Sequence, residues 1–242
     1  MDETCPSWTT LKNADSATNS IEVDAAFARC LGYDDELLIS SDTNSPDGAN
    51  IFFVESVEEN VVTLKEPLPR VFPTEAGPGE SVFAVEVAKL TRDVVFEAES
   101  DADDDLIGGH SIVLHTPDVP QTLHGVRFQN FGQAGVLGRY PIHFHKSGDS
   151  PSSVSRNVVV NSNHRCVMIH DTNRVTVSDN VAYDTAGHCF ATETGSERFN
   201  VFADNLGSKT KKLTRDNGQS DSPGVTKTEV STFWFRNMEN TL

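Results

Sequence analysis

Asn157-Val158-Val159-Val160-Asn161 opens a stretch that runs through Asn163-His164-Arg165-Cys166-Val167-Met168-Ile169-His170, and Asp179-Asn180-Val181-Ala182-Tyr183 opens a second that runs to Thr192. Aligning the two gives a repeat of 22 residues. Each copy is a pair of short β-branched runs closed by Asn, Asp or Gly, too short for helices and repeated at the length of a solenoid coil. An earlier copy runs through Val126-Arg127-Phe128-Gln129-Asn130, with an insertion before Ile142, and a later one through Asn200-Val201-Phe202-Ala203-Asp204-Asn205. The pattern predicts an all-β chain built as a right-handed parallel β-helix, its coils hydrogen-bonded in register about 4.8 Å apart. A two-sheet sandwich is the alternative.

Outward from this repeat lie the histidines. All eight fall between His110 and His188. On the strand Ile142-His143-Phe144-His145, alternation sends Ile142 and Phe144 inward and both imidazoles to the outer face. The 22-residue register stacks His145, His170 and Thr192 at one position and Lys146, Asp171 and Glu193 at the next. It places Pro141, Cys166 and His188 in a third column. His143, His145 and His170 are thus candidate ligands of a divalent metal, zinc or calcium, because neutral imidazoles bind such ions as zinc. A polar ladder, with side chains bonding one another as in an asparagine stack, explains the same pattern without a ligand. His110, His115, His124 and His164 read as structural residues.

Carboxylates offer a competing chemistry. Asp171 and Glu193, one coil apart, would stand about 5 Å from each other, the separation of a retaining glycosidase pair. Asp184 and His188 complete the candidate catalytic set. Arg139, Lys146 and Arg165 are candidate substrate-binding cations for a uronate, and they would also serve a lyase.

Residues 1–92 have a different character. Strands are expected near Ile21 to Val23, Glu36 to Ser40, Ile51 to Val57, Val61 to Lys65 and Ser81 to Ala88, with Glu58-Glu59-Asn60 as a hairpin loop. The formal charge of −17 is concentrated here: residues 1–105 carry 24 acids and 6 bases, residues 106–242 carry 12 and 13. The coils are therefore near neutral and could face an acidic polymer, and no nucleic-acid partner is expected. The run Lys209, Lys211, Lys212 and Arg215 reads as a solvated loop, and so does Asp101-Ala102-Asp103-Asp104-Asp105, which lacks the Gly and distal Glu of an EF-hand.

No apolar stretch reaches the roughly 20 residues that span a bilayer, and no Asn-x-Ser/Thr acceptor occurs. Met1-Asp2-Glu3-Thr4-Cys5 has neither the basic nor the apolar region of a secretion signal, so either the protein is not secreted by the usual signal or this is an internal piece of a longer chain. Cys5, Cys30, Cys166 and Cys189 lack the spacing of a zinc ribbon. Cys166 and Cys189, 23 residues apart, are offset by one from the repeat and read as buried small residues, with a disulfide or metal thiolates as the alternatives.

Three motifs, Gly135-Val136-Leu137-Gly138-Arg139-Tyr140-Pro141-Ile142-His143-Phe144-His145, Asn163 through His170, and Asp179-Asn180-Val181-Ala182-Tyr183-Asp184-Thr185-Ala186-Gly187-His188-Cys189-Phe190, resemble a known family. It is the hyaluronan-binding β-helix family of cell migration-inducing and hyaluronan-binding protein, transmembrane protein 2 and fibrocystin-like proteins. Trp8-Thr9-Thr10-Leu11 and Glu36-Leu37-Leu38-Ile39-Ser40 resemble the later portion of the eight-glycine domain that precedes the coils in that family. The resemblance implies an eight-glycine-type region over 1–92 and β-helix repeats over 93–242, cut short at Asn240-Thr241-Leu242. It also implies an extracellular or cell-surface protein with a polysaccharide partner and no membrane contact by this segment. Members differ in whether they cut hyaluronan, so a polysaccharide-degrading glycoside hydrolase, a non-catalytic carbohydrate or protein binder, and a structural fragment all stay open. The motif positions that carry over are Arg139, His143, His145, Arg165, His170, Asp184, His188 and Glu193.

Overall fold

The computed structural model describes residues 5–43, 45–69, 72, 85–99, 106–116, 119–213, 230–236 and 239–241. The chain divides into two compact units, Met1–Thr91 and Arg92–Leu242.

The first unit is one antiparallel sheet, in the order Trp8–Thr10, Glu86–Lys89, Glu36–Ile39, Asn50–Glu58, Val61–Leu64, Ser20–Glu22, Asn13–Asp15. Alternation builds its core: Phe52 and Val54 point inward from Asn50–Glu58 and pack with Ile21, Leu37, Val62 and Val87. The expected strands are present with ends moved by a residue or so. The last of them runs over Glu86–Lys89, while 81–84 lie outside the described residues. The hairpin turns at Glu59, which takes the left-handed conformation (φ 55°). The edge strands before Ser20 and the short helix Ala25–Ala28, which buries Phe27, carry too few apolar positions to announce themselves. Cys5 and Cys30 form a disulfide.

The second unit is a parallel β-helix with three faces. Each coil passes through a strand of the sheet Thr122–His124, Ser153–Ser155, Thr176–Ser178, Val201–Ala203, then one of the sheet Val94–Glu97, Val126–Gln129, Val158–Val160, Val181–Ala186, Leu206–Lys211. The third face is Ile112–Val113, Ile142–Asp149, Val167–Asn173, Phe190–Thr192, Phe233–Trp234. Identical faces pair coil on coil, so the core consists of columns such as Phe128 over Val159 over Ala182 and Ile142 over Val167 over Phe190.

The register corrects the 22-residue repeat. Val158 pairs with Val181, 23 residues on, whereas Ile142 pairs with Val167 and Val181 with Leu206, both 25 residues on. Corners absorb different numbers of residues while the columns stay aligned. An asparagine ladder holds the alignment at one corner. Asn180 Oδ1 accepts from the Asn157 N–H at 2.9 Å and from its Nδ2 at 3.1 Å. Asn205 Oδ1 does the same for Asn180 at 3.1 and 2.8 Å, and each Nδ2 also donates to a carbonyl of the coil before: Asn157 to Leu123, Asn180 to Val154, Asn205 to Val177.

Three expectations change with the register. Thr192 lies beneath Ile169 and not His170. Cys166 and Cys189 share a column and form a disulfide instead of staying free. Lys209 and Lys211 belong to the strand Leu206–Lys211 and not to a loop; Arg215 and Asp101–Asp105 lie outside the described residues. Among the described residues no helix is long and apolar enough to cross a membrane.

Candidate functional site

His143 and His145 stand on Ile142–Asp149 and His170 on the neighbouring Val167–Asn173, with His145 directly opposite His170 and His143 opposite Met168. Ile142 and Phe144 are in the core, as alternation requires. The rings converge. Centroids are 4.6 Å apart for His145 and His170, 5.0 Å for His143 and His145, and 6.1 Å for the parallel rings of His143 and His170. One nitrogen from each of the three lies within 4.8 Å of the others.

His143 is buried beneath the segment that precedes its own strand. Its Nδ1–H donates to the Gly138 carbonyl at 3.0 Å, which leaves Nε2 as the lone-pair nitrogen. That atom is buried and meets no hydrogen-bond partner. Burial drives its pKa down to about 3, against the support of the Gly138 bond, so the ring is neutral at physiological pH. His145 is half-buried. Burial, then the neighbouring His170 and Lys146, lower its pKa, while Glu193 and Asp171 pull the other way. Its Nδ1 is likewise enclosed without a partner.

Glu193 organises the third ring. With the true register it sits beside His170, its backbone N–H bonded to the Ile169 carbonyl, and not over Asp171 as the 22-residue repeat implied. Its Oε2 lies 3.2 Å from His170 Nδ1. Its Oε1 accepts from Arg165 Nη1 at 3.1 Å and from the Tyr140 hydroxyl at 3.3 Å. Arg165 is fully buried, also donates to the Tyr140 oxygen at 3.1 Å, and so is a positioning group instead of a cation offered to a substrate. Tyr140, to which the sequence assigned no role, packs its ring 4.9 Å from His143 and 4.8 Å from His164. Its place just before the His-x-His strand is the one local signal that could have marked it. Glu197 also went unnoticed. It is buried, and its Oε1 accepts the N–H groups of Asp171 and Thr194, both at 2.9 Å, which fixes the corner that follows Glu193.

A family model described as CEMIP beta-helix matches residues 106–242. The chain belongs to the CEMIP beta-helix family. It is 36% identical over 159 residues to a G8 domain-containing protein of Dictyostelium discoideum, covering 65% of this chain and 13% of that protein. It is 34% identical over 145 residues to the cell surface hyaluronidase of Danio rerio (52% and 10%). To the human cell surface hyaluronidase CEMIP2 it is 31% identical over 193 residues (65% and 14%). The chain thus spans about an eighth of the length of these relatives.

Within this CEMIP-type β-helix the remaining candidates separate from the triad. Asp184 lies on Val181–Ala186, a strand of another sheet, and its carboxylate is ion-paired with Lys209 at 2.9 Å and with Lys211. Burial raises its pKa, but the two lysines outweigh burial and hold it below the ordinary range. Asp184 therefore does not share the histidine face. Asp171 is exposed and accepts from Ser196 Oγ at 3.2 Å. His188 is buried, stacked on Trp234 at 4.4 Å, and its Nδ1 accepts the Ser231 N–H at 3.2 Å. It is not one of the three converging rings. Arg139 is exposed and donates to His110 Nε2 at 2.5 Å; burial first and this guanidinium second lower the His110 pKa. Lys146, also exposed, takes a left-handed conformation (φ 53°) immediately after His145.

Proposed function

We propose that this chain binds an acidic polysaccharide of the hyaluronan type along the outer face of its third sheet and shortens it at the cluster of His143, His145, His170 and Glu193. The observation that carries the reading is Glu193, a carboxylate held by Arg165, Tyr140 and His170 beside a half-exposed neutral imidazole, His145. Glycosidic cleavage needs a proton donor and a second group that works as base or nucleophile. Glu193, a fixed carboxylate, supplies the base or nucleophile, and His145 supplies the donor when its imidazole carries a proton. Two relatives named as cell surface hyaluronidases support the polymer class. Two disulfides support an extracellular or cell-surface setting, because such bonds persist in oxidising compartments.

The test is to incubate the purified chain with hyaluronan and with other uronate polymers and to measure product size, with and without added divalent metal. Shortened hyaluronan that is lost in His145→Ala and Glu193→Gln is the expected result. No shortening of any polymer under either condition overturns the cleavage half of the proposal. A second reading, binding without cleavage, is favoured by Asp184, the carboxylate that the lysines lock away on another sheet. It predicts polymer retained by the chain at unchanged length.

A further inference from the structure

The structure points to a site for a zinc-class transition-metal ion, and we infer that His143, His145 and His170 are its ligands and Glu193 its outer-shell carboxylate. The inference concerns metal affinity and stands whether or not a polymer is cut.

Four observations carry it. The three rings already present nitrogens within 4.8 Å of one another. Zinc–imidazole bonds are about 2.0–2.1 Å long, so ring movements on the order of 1 Å close the set around an ion. One tautomer is fixed from behind. The Gly138 carbonyl takes the Nδ1–H of His143, which leaves its Nε2 as the lone-pair nitrogen, and the Glu193 carboxylate lies 3.2 Å from His170 Nδ1. The carboxylate–histidine arrangement is the one that orients metal-bound imidazoles and raises their basicity, and Glu193 is itself anchored by Arg165 and Tyr140.

Enclosed nitrogens are left over. His143 Nε2 and His145 Nδ1 are buried and meet no hydrogen-bond partner, in a fold whose buried asparagines satisfy theirs. His143 is almost wholly inaccessible, so a lone pair aimed into the cluster has no solvent to turn to. Finally, the donor set chooses the ion. Three imidazole nitrogens suit zinc, copper, nickel or iron, whereas calcium takes six to eight oxygens. This narrows the expected divalent metal to the zinc class. Three protein ligands would leave a fourth coordination position open, the form of a reactive zinc site and not of a structural one.

The experiment uses the full chain purified without a histidine tag, stripped with a chelator and titrated with Zn²⁺, Co²⁺ or Ca²⁺. The expected result is one equivalent of Zn²⁺ retained through gel filtration by elemental analysis, with visible d–d absorption from Co²⁺ and no displacement of either by Ca²⁺. Glu193→Gln should weaken Zn²⁺ binding about 10- to 100-fold, and His145→Ala should abolish retention. His124→Ala should change nothing. Because His143 is buried, truncating it to Ala would leave a cavity; His145→Ala, at a half-buried position, is therefore the deciding variant, with far-UV circular dichroism confirming its fold. Absence of stoichiometric Zn²⁺ in the wild type, or undiminished retention by folded His145→Ala, overturns the inference.

Discussion

Two polar stacks run along the same coils, and they solve the same problem differently. In the corner column Asn157, Asn180 and Asn205, each side-chain oxygen receives donors and each Nδ2 has acceptors on the neighbouring coil. Among the clustered imidazoles, His143 spends one nitrogen on Gly138 and leaves the other enclosed without a partner. Buried polar groups are ordinarily satisfied, so a stack that closes on itself is structural, and one that leaves lone pairs converging fits the ion inferred above.

Substitution tests the contrast, and the largest effect belongs to the buried cation behind Glu193. Arg165→Met leaves Glu193 without its buried cation and should cost about 3–5 kcal/mol in urea unfolding; a loss below about 1 kcal/mol would mean that the pair does not hold the site. Asn180→Ala strips the middle rung, orphaning donors of Asn157 and the Val154 carbonyl, and should cost about 3 kcal/mol in the same measurement. His143→Phe removes an unpartnered buried nitrogen along with one bond to Gly138. Its unfolding free energy should stay within about 1 kcal/mol of wild type, and a cost equal to that of Asn180→Ala would make the cluster a ladder after all.

The smallest effect is one of pH. Burial raises the Glu197 pKa, but bonds from Thr194 and from the Asp171 N–H outweigh it and hold the carboxyl below its ordinary range. A depressed folded pKa contributes stability above the unfolded value of about 4.3 and loses it as pH falls through the folded one. The advantage of wild type over Glu197→Gln should therefore be constant near neutrality and shrink below about pH 4. An advantage that persists undiminished at pH 2 would show that the charge is not what ties the corner to Asp171.

Much of the architecture was legible in the residues, and the reason is local. Short β-branched runs between Asn and Asp corners declare coils, and strict alternation along Ile142-His143-Phe144-His145 decides which side chains leave the core. Stacking of His145 on His170 also followed, because both close similar runs. The partners of the cluster were less accessible. A repeat of 22 residues put Thr192 under His170 and Glu193 under Asp171; the actual spacing of 23 between Val167 and Phe190 moves both by one residue. One residue is enough to bring a carboxylate to an imidazole. The same shift brings Cys166 and Cys189 into one column, where they bond.

By itself, then, the sequence determined the coil, the face and the three imidazoles, since strand alternation is a property of covalent backbone geometry. Tertiary structure alone decided that Glu193 meets His170, that Arg165 is buried behind it under Tyr140, and that Asp184 is held by lysines on another sheet. The physical reason is that register depends on how many residues each corner absorbs. Ladders, core columns and a covering segment settle that number together, and no single stretch of chain encodes it.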